Sequence, residues 1–389
     1  MSGGSQLACV SAALVIMMTA VTPLRASDWQ LQESANASLD YVDNPRLVPD
    51  TTLDDERLIA SAAGSLQRNS EIGALQIAPQ VSTTRYSSSQ ELDNTAGSLA
   101  LSWQHAGQRG NWFANAQGAV DSTLTTELGL SGISDVNRQR QSLVSSAGGS
   151  WNLSELTQLG VQLSGNRVHY RDASGTGLSS YSYGSITVDP SWAVGQLSRL
   201  TVQGEYDVLD SDNVAQTQRS YNGTIGFSHQ AGERDHWHLS GGASGSAVGT
   251  ITTRGWVLDA GVTRTGLRGS LSASAQRRIS PVGNGLLERT DSMSVDAQRQ
   301  LTEHASLSTA IRFVHSANTY GSLFGYRYVA YPGSVYARIL AEWNWSFSPH
   351  WSTALRLGSS GADQDSSGSN PWAKGWDTSL AIFWHADQQ

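Results

Sequence analysis

The sequence predicts an all-β fold, a single transmembrane antiparallel β-barrel of about 18 strands, with 16 as the alternative count. Three observations predict it. The chain closes on Asp377-Thr378-Ser379-Leu380-Ala381-Ile382-Phe383-Trp384, which alternates polar and apolar residues. Segments of the same period-two pattern recur along the whole chain, separated by connections that alternate between short and long. Tryptophans gather beside the short connections. A barrel strand in a bilayer has one greasy face and one wet face, so alternation is the pattern that the membrane demands.

At the N-terminus, Leu7 to Val21 is the sole long apolar run and is short for a membrane span. Pro23-Leu24-Arg25-Ala26 follows as a cleavage region, so residues 1–26 read as a removed signal peptide and 27–389 as the barrel. Cys9, the only cysteine, falls inside the signal segment, and the barrel is expected to hold no thiol, disulfide or cysteine metal site.

Composition narrows the class further. The chain has 39 Gly, 9 Pro, 13 Trp and 12 Tyr with a negative mean hydropathy, which disfavours a helical membrane protein. A barrel needs an apolar residue only at every second strand position, so it spans lipid without looking greasy on average. The net charge is −8, Lys374 is the only lysine among 25 basic residues, and the charges form no basic run, so no nucleic-acid partner is expected.

Taken in order, the alternating segments lie near residues 29–42, 56–66, 72–86, 95–105, 109–121, 139–152, 156–170, 180–191, 197–208, 217–229, 236–247, 251–263, 267–278, 289–300, 305–316, 334–346, 351–359 and 375–384. Segment 56–66 alternates weakly, and Pro79 removes a ladder donor from 72–86, which requires a bulge or a locally unpaired position. Every second connection is short, and nearly all the others are longer and richer in Asp, Asn, Ser and Gly, the pattern of short periplasmic turns and longer extracellular loops. Trp29, Trp103, Trp112, Trp151, Trp192, Trp237, Trp345, Trp351 and Trp384 lie near the short turns or the chain ends, as an interfacial girdle at one rim.

Parity assigns a lumen face carrying Arg199, Glu205, Asp207, His238, Arg268, Arg278, Asp296, Arg312, Arg338, Glu342, Arg356 and Asp377. Two readings stand side by side: the arginines brace the wall by pairing with neighbouring carboxylates, or they select anionic solutes as charged rings do in pores. Eighteen strands enclose more space than wall side chains fill, so water or an inward-folded loop must occupy it. Segments 43–55, 122–138, 317–332 and 360–373 are long enough to serve. Asp235, His236 and His238, and His315 beside Ser316, are the nearest approach to catalytic clusters, yet no nucleophile-elbow, zincin or phosphate-loop motif accompanies them. No enzyme activity, metal site or cofactor is expected.

Ala37-Ser38-Leu39-Asp40-Tyr41-Val42-Asp43-Asn44-Pro45-Arg46-Leu47 resembles the Tyr-x-Asp-Asn-x-x-Leu entry of outer-membrane barrels found with exopolysaccharide and exosortase (PEP-CTERM) systems. Ile77-Ala78-Pro79-Gln80-Val81 with Arg85-Tyr86, and the turn Trp151-Asn152-Leu153-Ser154-Glu155-Leu156-Thr157, echoed at Leu301-Thr302-Glu303-His304, are similar to further stretches of that group. The chain departs from it after Trp384, where five more residues follow. The resemblance implies a Gram-negative outer-membrane location and a porin-like channel or export conduit linked to surface exopolysaccharide. A non-conducting barrel that anchors surface glycan or a partner protein is the alternative. The partners expected are outer-membrane lipid and lipopolysaccharide, the barrel-assembly machinery during insertion, and polysaccharide or other export components.

Overall fold

A computed structural model describes residues 29–47, 54–123, 137–318, 333–364 and 372–386. The signal-peptide assignment and Cys9 lie outside the described residues. The first nine strands are β1 (Trp29–Asp43), β2 (Asp54–Ser70), β3 (Gly73–Tyr86), β4 (Asn94–Gly107), β5 (Gly110–Ser122), β6 (Gln139–Asn152), β7 (Thr157–Tyr170), β8 (Tyr181–Gly195) and β9 (Ser198–Ser211). The second nine are β10 (Val214–Ala231), β11 (Asp235–Val248), β12 (Ile251–Gly266), β13 (Gly269–Pro281), β14 (Leu287–Gln300), β15 (Ala305–Asn318), β16 (Gly333–Ser346), β17 (Trp351–Gln364) and β18 (Ala373–His385).

Each strand pairs antiparallel with its sequence neighbours, and β1 pairs with β18 from Ser34↔His385 to Val42↔Asp377. That last ladder closes the cylinder at 18 strands and leaves no free edge, which settles the count against the alternative of 16. Among the described residues no helix is long and apolar enough to cross a membrane; the strands are the only elements of that length.

The alternation read from sequence sets which face each residue takes. In β18, Leu380 and Ile382 are 62% and 44% exposed on the outer face, while Ser379 and Ala381 are 4% and 2% exposed toward the lumen. Register carries that phase around the ring: Leu380 stands beside Leu39 and Leu355, and Ser379 beside Asp40 and Arg356. Large apolar side chains exposed on the strands therefore sit almost entirely on the outside; Val144, which points inward, is an exception.

Proline interrupts two ladders without shifting them. Pairing of β2 with β3 stops at Ala63↔Gln80 and resumes in the same register at Leu66↔Ile77, leaving the position of Pro79 locally unpaired. The β8–β9 ladder skips Asp189 and Pro190 in the same way. A proline ring has no N–H to donate, so a gap is the expected solution.

The eight connections at the chain-terminal end are two to four residues long. Three four-residue turns share one scheme, with Leu153 N donating to Thr157 O, Leu301 N to Ala305 O and Phe347 N to Trp351 O. Hydroxyl oxygens of Ser154, Thr302 and Ser348 accept backbone N–H groups inside them, which explains why the second position is Ser or Thr. The opposite end is less uniform than the sequence suggested. The connections β9–β10 and β11–β12 are two-residue turns, because their strands extend beyond the expected limits to Ser211 and from Val214; Gly249, with φ +58°, supplies the left-handed residue that such a turn needs.

Candidate functional site: the lumen and its mouth

Eleven of the twelve residues expected on the lumen face lie on strands with inward parity: Arg199, Glu205 and Asp207 on β9, His238 on β11, Arg278 on β13, Asp296 on β14, Arg312 on β15, Arg338 and Glu342 on β16, Arg356 on β17 and Asp377 on β18. Arg268 does not. The β12–β13 ladder ends at Gly266↔Gly269, so Arg268 occupies the two-residue turn beside Leu267, which is 88% exposed, and its side chain stands in solvent below the wall.

Much of the wall charge is paired across strands. Arg338 lies 3.3 Å from Asp377 and Arg356 binds Glu342, whose other oxygen accepts from Asn344 at 2.7 Å. Arg57 and Asp40 meet at 2.9 Å, and Arg140 and Asp121 at 3.2 Å; sequence reasoning missed both pairs. In β6 both faces carry Ser and Gly, and only Leu143 and Trp151 mark the outside, so parity there was hard to read. Arg199 donates to Ser191 at 2.7 Å instead of to a carboxylate. Arg278 and Arg312 have no hydrogen-bond or ion-pair partner among the described residues, and Arg312 stands directly beside Arg338 in register.

Charge is also segregated around the ring. The separation is partial: Arg278, Arg312, Arg338 and Arg356 occupy β13 to β17 together with Glu288, Asp296 and Glu342, while Asp189, Glu205, Asp207 and Asp259 occupy β8 to β12 together with Arg199. Strands β8 and β17 are nine apart in a ring of 18, hence opposite each other. On the acidic side the carboxylates are held by neutral donors: Asp207 accepts from Tyr183 at 2.8 Å and from Ser220, and Glu205 accepts from Asn222 at 2.8 Å.

The loop-side mouth is narrowed by segments that the sequence did not single out. Gln218 of β10 donates to Gly285 O at 2.7 Å and accepts from Leu287 N at 3.0 Å. Four strand spacings separate β10 from β14, roughly 19 Å along the wall, so this contact is made only if the β13–β14 tip leaves the wall and folds into the lumen. Segment 171–180 meets it there, with Ser179 N donating to Gly283 O at 2.9 Å. Val168, Leu178, Leu209, Val248 and Leu287 pack beneath as a buried apolar cluster, with Leu209 and Leu287 wholly shielded from solvent. Gly285 has φ +76°, and a Cβ on it would meet Ser211 Cβ at 2.8 Å and Ser179 Cβ at 2.9 Å, so only glycine fits the crossing.

Of the four segments expected to constrict the pore, the described part of 43–55 does turn inward, Leu47 packing with Tyr336 and Ala373. The central parts of the other three lie outside the described residues. At the rim, Asp55 accepts hydrogen bonds from Ser87 Oγ at 2.7 Å, Ser88 N at 3.0 Å and Ser89 N at 2.7 Å. The outward-facing carboxylates of Asp54 and Glu56 flank it, which places it above the apolar band. Burial raises the pKa of Asp55, but these hydrogen bonds outweigh it and lower the value to about 2.

All nine tryptophans of the expected girdle face outward at the short-turn end, where Trp112 and Trp151 meet edge to face at 4.6 Å. The histidine clusters do not assemble into a nucleophile and base. His315 faces out while Ser316 faces in and donates to Glu288, and His238 lies 3.3 Å from Asp259 on the wall. Among the described residues no three His, Cys, Asp or Glu side chains come together as a metal-binding group.

No family model matches the chain, and no curated protein matches it either. Solved structures resemble it in shape. Acinetobacter baumannii OccAB4 gives a TM-score of 0.48 at 9% identity, over 94% of this chain and 99% of the other. Pseudomonas aeruginosa OprD gives 0.44 at 9% identity over 92% and 95%, and the FrpB iron transporter from Neisseria meningitidis gives 0.47 at 7% identity over 92% and 81%. Nothing functional follows from likenesses this distant; the closed barrel rests on its own strand ladders.

Proposed function

We propose that the chain is a porin-like channel or export conduit of the Gram-negative outer membrane. One observation carries the reading: a closed ring of 18 strands turns its large apolar residues outward, and the charges that share the outer face lie toward the strand ends, away from its middle. A closed barrel pairs most of its backbone donors and acceptors along its strand ladders without water, and a ring of this size is too wide for wall side chains to fill. The paired arginines brace the wall, while Arg278 and Arg312 are free to meet solute. With carboxylates opposite, the lumen suits polar, hydroxyl-rich or dipolar molecules better than a simple anion. The link to surface exopolysaccharide rests on the sequence resemblance alone.

A second reading, a non-conducting barrel that anchors glycan or a partner, is favoured by the inward-folded β13–β14 tip and its apolar cluster. Planar-bilayer recording separates the two. Steady current steps from the purified, folded barrel support the channel; silence from a barrel shown to be folded and inserted supports the anchor.

A further inference from the structure

Arg277 of β13, Arg289 and Asp291 of β14 and His315 of β15 form an ionisable cluster on the outer face, a face where charge is otherwise unwelcome. Asp291 is gripped by two of the three guanidinium nitrogens of Arg277, Nε and Nη2, the latter at 2.8 Å, with Arg289 at 3.7 Å and His315 at 3.5 Å. The Arg277 guanidinium lies 3.8 Å over the ring of Trp256 on β12, and Arg254 projects from the same outer face two residues further along. Three guanidinium groups against one carboxylate leave two positive charges even with His315 neutral.

The cluster sits at the loop-side edge of the apolar band. The next outward row toward the short turns is Ala275, Met293 and Phe313, and the row after it is Ala273, Val295 and Ile311. The wall is also notched there. The β12–β13 ladder begins at Leu258↔Arg277, so residues 251–257 of β12 and 278–281 of β13 run on without pairing to each other. The notch is the outer consequence of the β13–β14 tip leaving the wall for the lumen.

We infer that this notch binds the phosphorylated headgroup of a membrane lipid, with acyl chains against Met293, Phe313 and Ile311 and phosphate against Arg254 and Arg289. Arg277 is already neutralised by Asp291 and serves as the floor, stacked on Trp256. Guanidinium groups present paired N–H donors that match phosphate oxygens, and a cluster continuous with an apolar surface favours a lipid over a free anion. The assignment rests on the membrane-spanning reading above.

The test uses the full folded barrel in detergent micelles, titrated with bis-phosphorylated lipid A, with its dephosphorylated counterpart and with inorganic phosphate, and read by native mass spectrometry. The wild type should prefer the phosphorylated lipid, and the double variant Arg254→Gln, Arg289→Gln should weaken that binding roughly 30-fold, the effect of two cations at a lipid surface. Arg289→Lys should restore part of it, and Arg167→Gln with Arg219→Gln, elsewhere on the outer face, should leave it unchanged. Equal binding of both lipids, an unaffected double variant, or saturation by inorganic phosphate alone overturns the site. A barrel that folds in micelles without phosphate preference sinks only this inference, whereas a chain that forms no barrel in micelles sinks the underlying reading as well.

Discussion

Ile225 and Thr224 are neighbours on β10 that point to opposite sides of the wall, Ile225 beside Val202 and Gly241, Thr224 beside Gln203 and Gly242. Ile225 is 64% exposed and lies between the outward rings of Tyr221 and Phe227, near the middle of the band. Placing arginine there puts a charge in hydrocarbon, at a cost of roughly 2–4 kcal/mol at mid-depth, equivalent to roughly 30- to 900-fold in the folding equilibrium. Arginine at Thr224 enters the wet lumen and should change stability by less than about 1 kcal/mol. The assay is reversible urea unfolding in phospholipid vesicles followed by tryptophan emission, with heat-modifiable gel mobility as a second readout. On the surface of a water-soluble protein both substitutions would be tolerated, since both side chains would meet water. Equal stability of Ile225→Arg and Thr224→Arg would therefore refute the outward-lipid, inward-water assignment.

Further outcomes follow from the mouth and the wall. Gln218→Ala removes both of its hydrogen bonds to the β13–β14 tip and leaves two buried backbone groups unsatisfied, about 1–3 kcal/mol each, so bilayer recordings should show larger and noisier current steps; unchanged conductance would mean that the tip does not limit flow. Gly285→Val should act the same way through its positive φ and the Ser179 contact, and native hydrogen exchange should rise in segments 171–180 and 282–286. Replacing Arg278 and Arg312 together by Gln should move the reversal potential toward cation preference, roughly twofold per charge for a unit charge about 8 Å from a permeant ion in water; no shift would assign both to wall support. Because the pKa of Asp55 is lowered in the folded state, its stabilisation of segment 87–89 is full above 3.8 and is lost as pH falls toward about 2, and Asp55→Asn should abolish that pH dependence of local exchange.

The strands were legible because membrane and lumen impose opposite demands at successive positions. Thus β9, Leu200 to Val208, reads without ambiguity, and β18 fixes the phase for its neighbours. Arg268 was misplaced because its strand starts two residues later than the alternation suggests: Leu267 continues the apolar series but sits in a turn. The tip at 282–286 was invisible, since what holds it is a glutamine 67 residues away in sequence, and no local pattern reports a long-range crossing. The pairs Arg57–Asp40 and Arg140–Asp121 were missed for another reason: on strands rich in small residues, inside and outside look alike.

The central claim is that this wall separates lipid from water residue by residue. With Cys9 replaced, single cysteines placed from Leu200 to Val208 and labelled with a nitroxide can be tested in vesicles against a lipid-soluble and a water-soluble relaxation agent. The account predicts that even positions respond to the lipid-soluble agent and odd positions to the aqueous one, alternating along the strand. A profile without that alternation, or one in which every position meets only water, would contradict it.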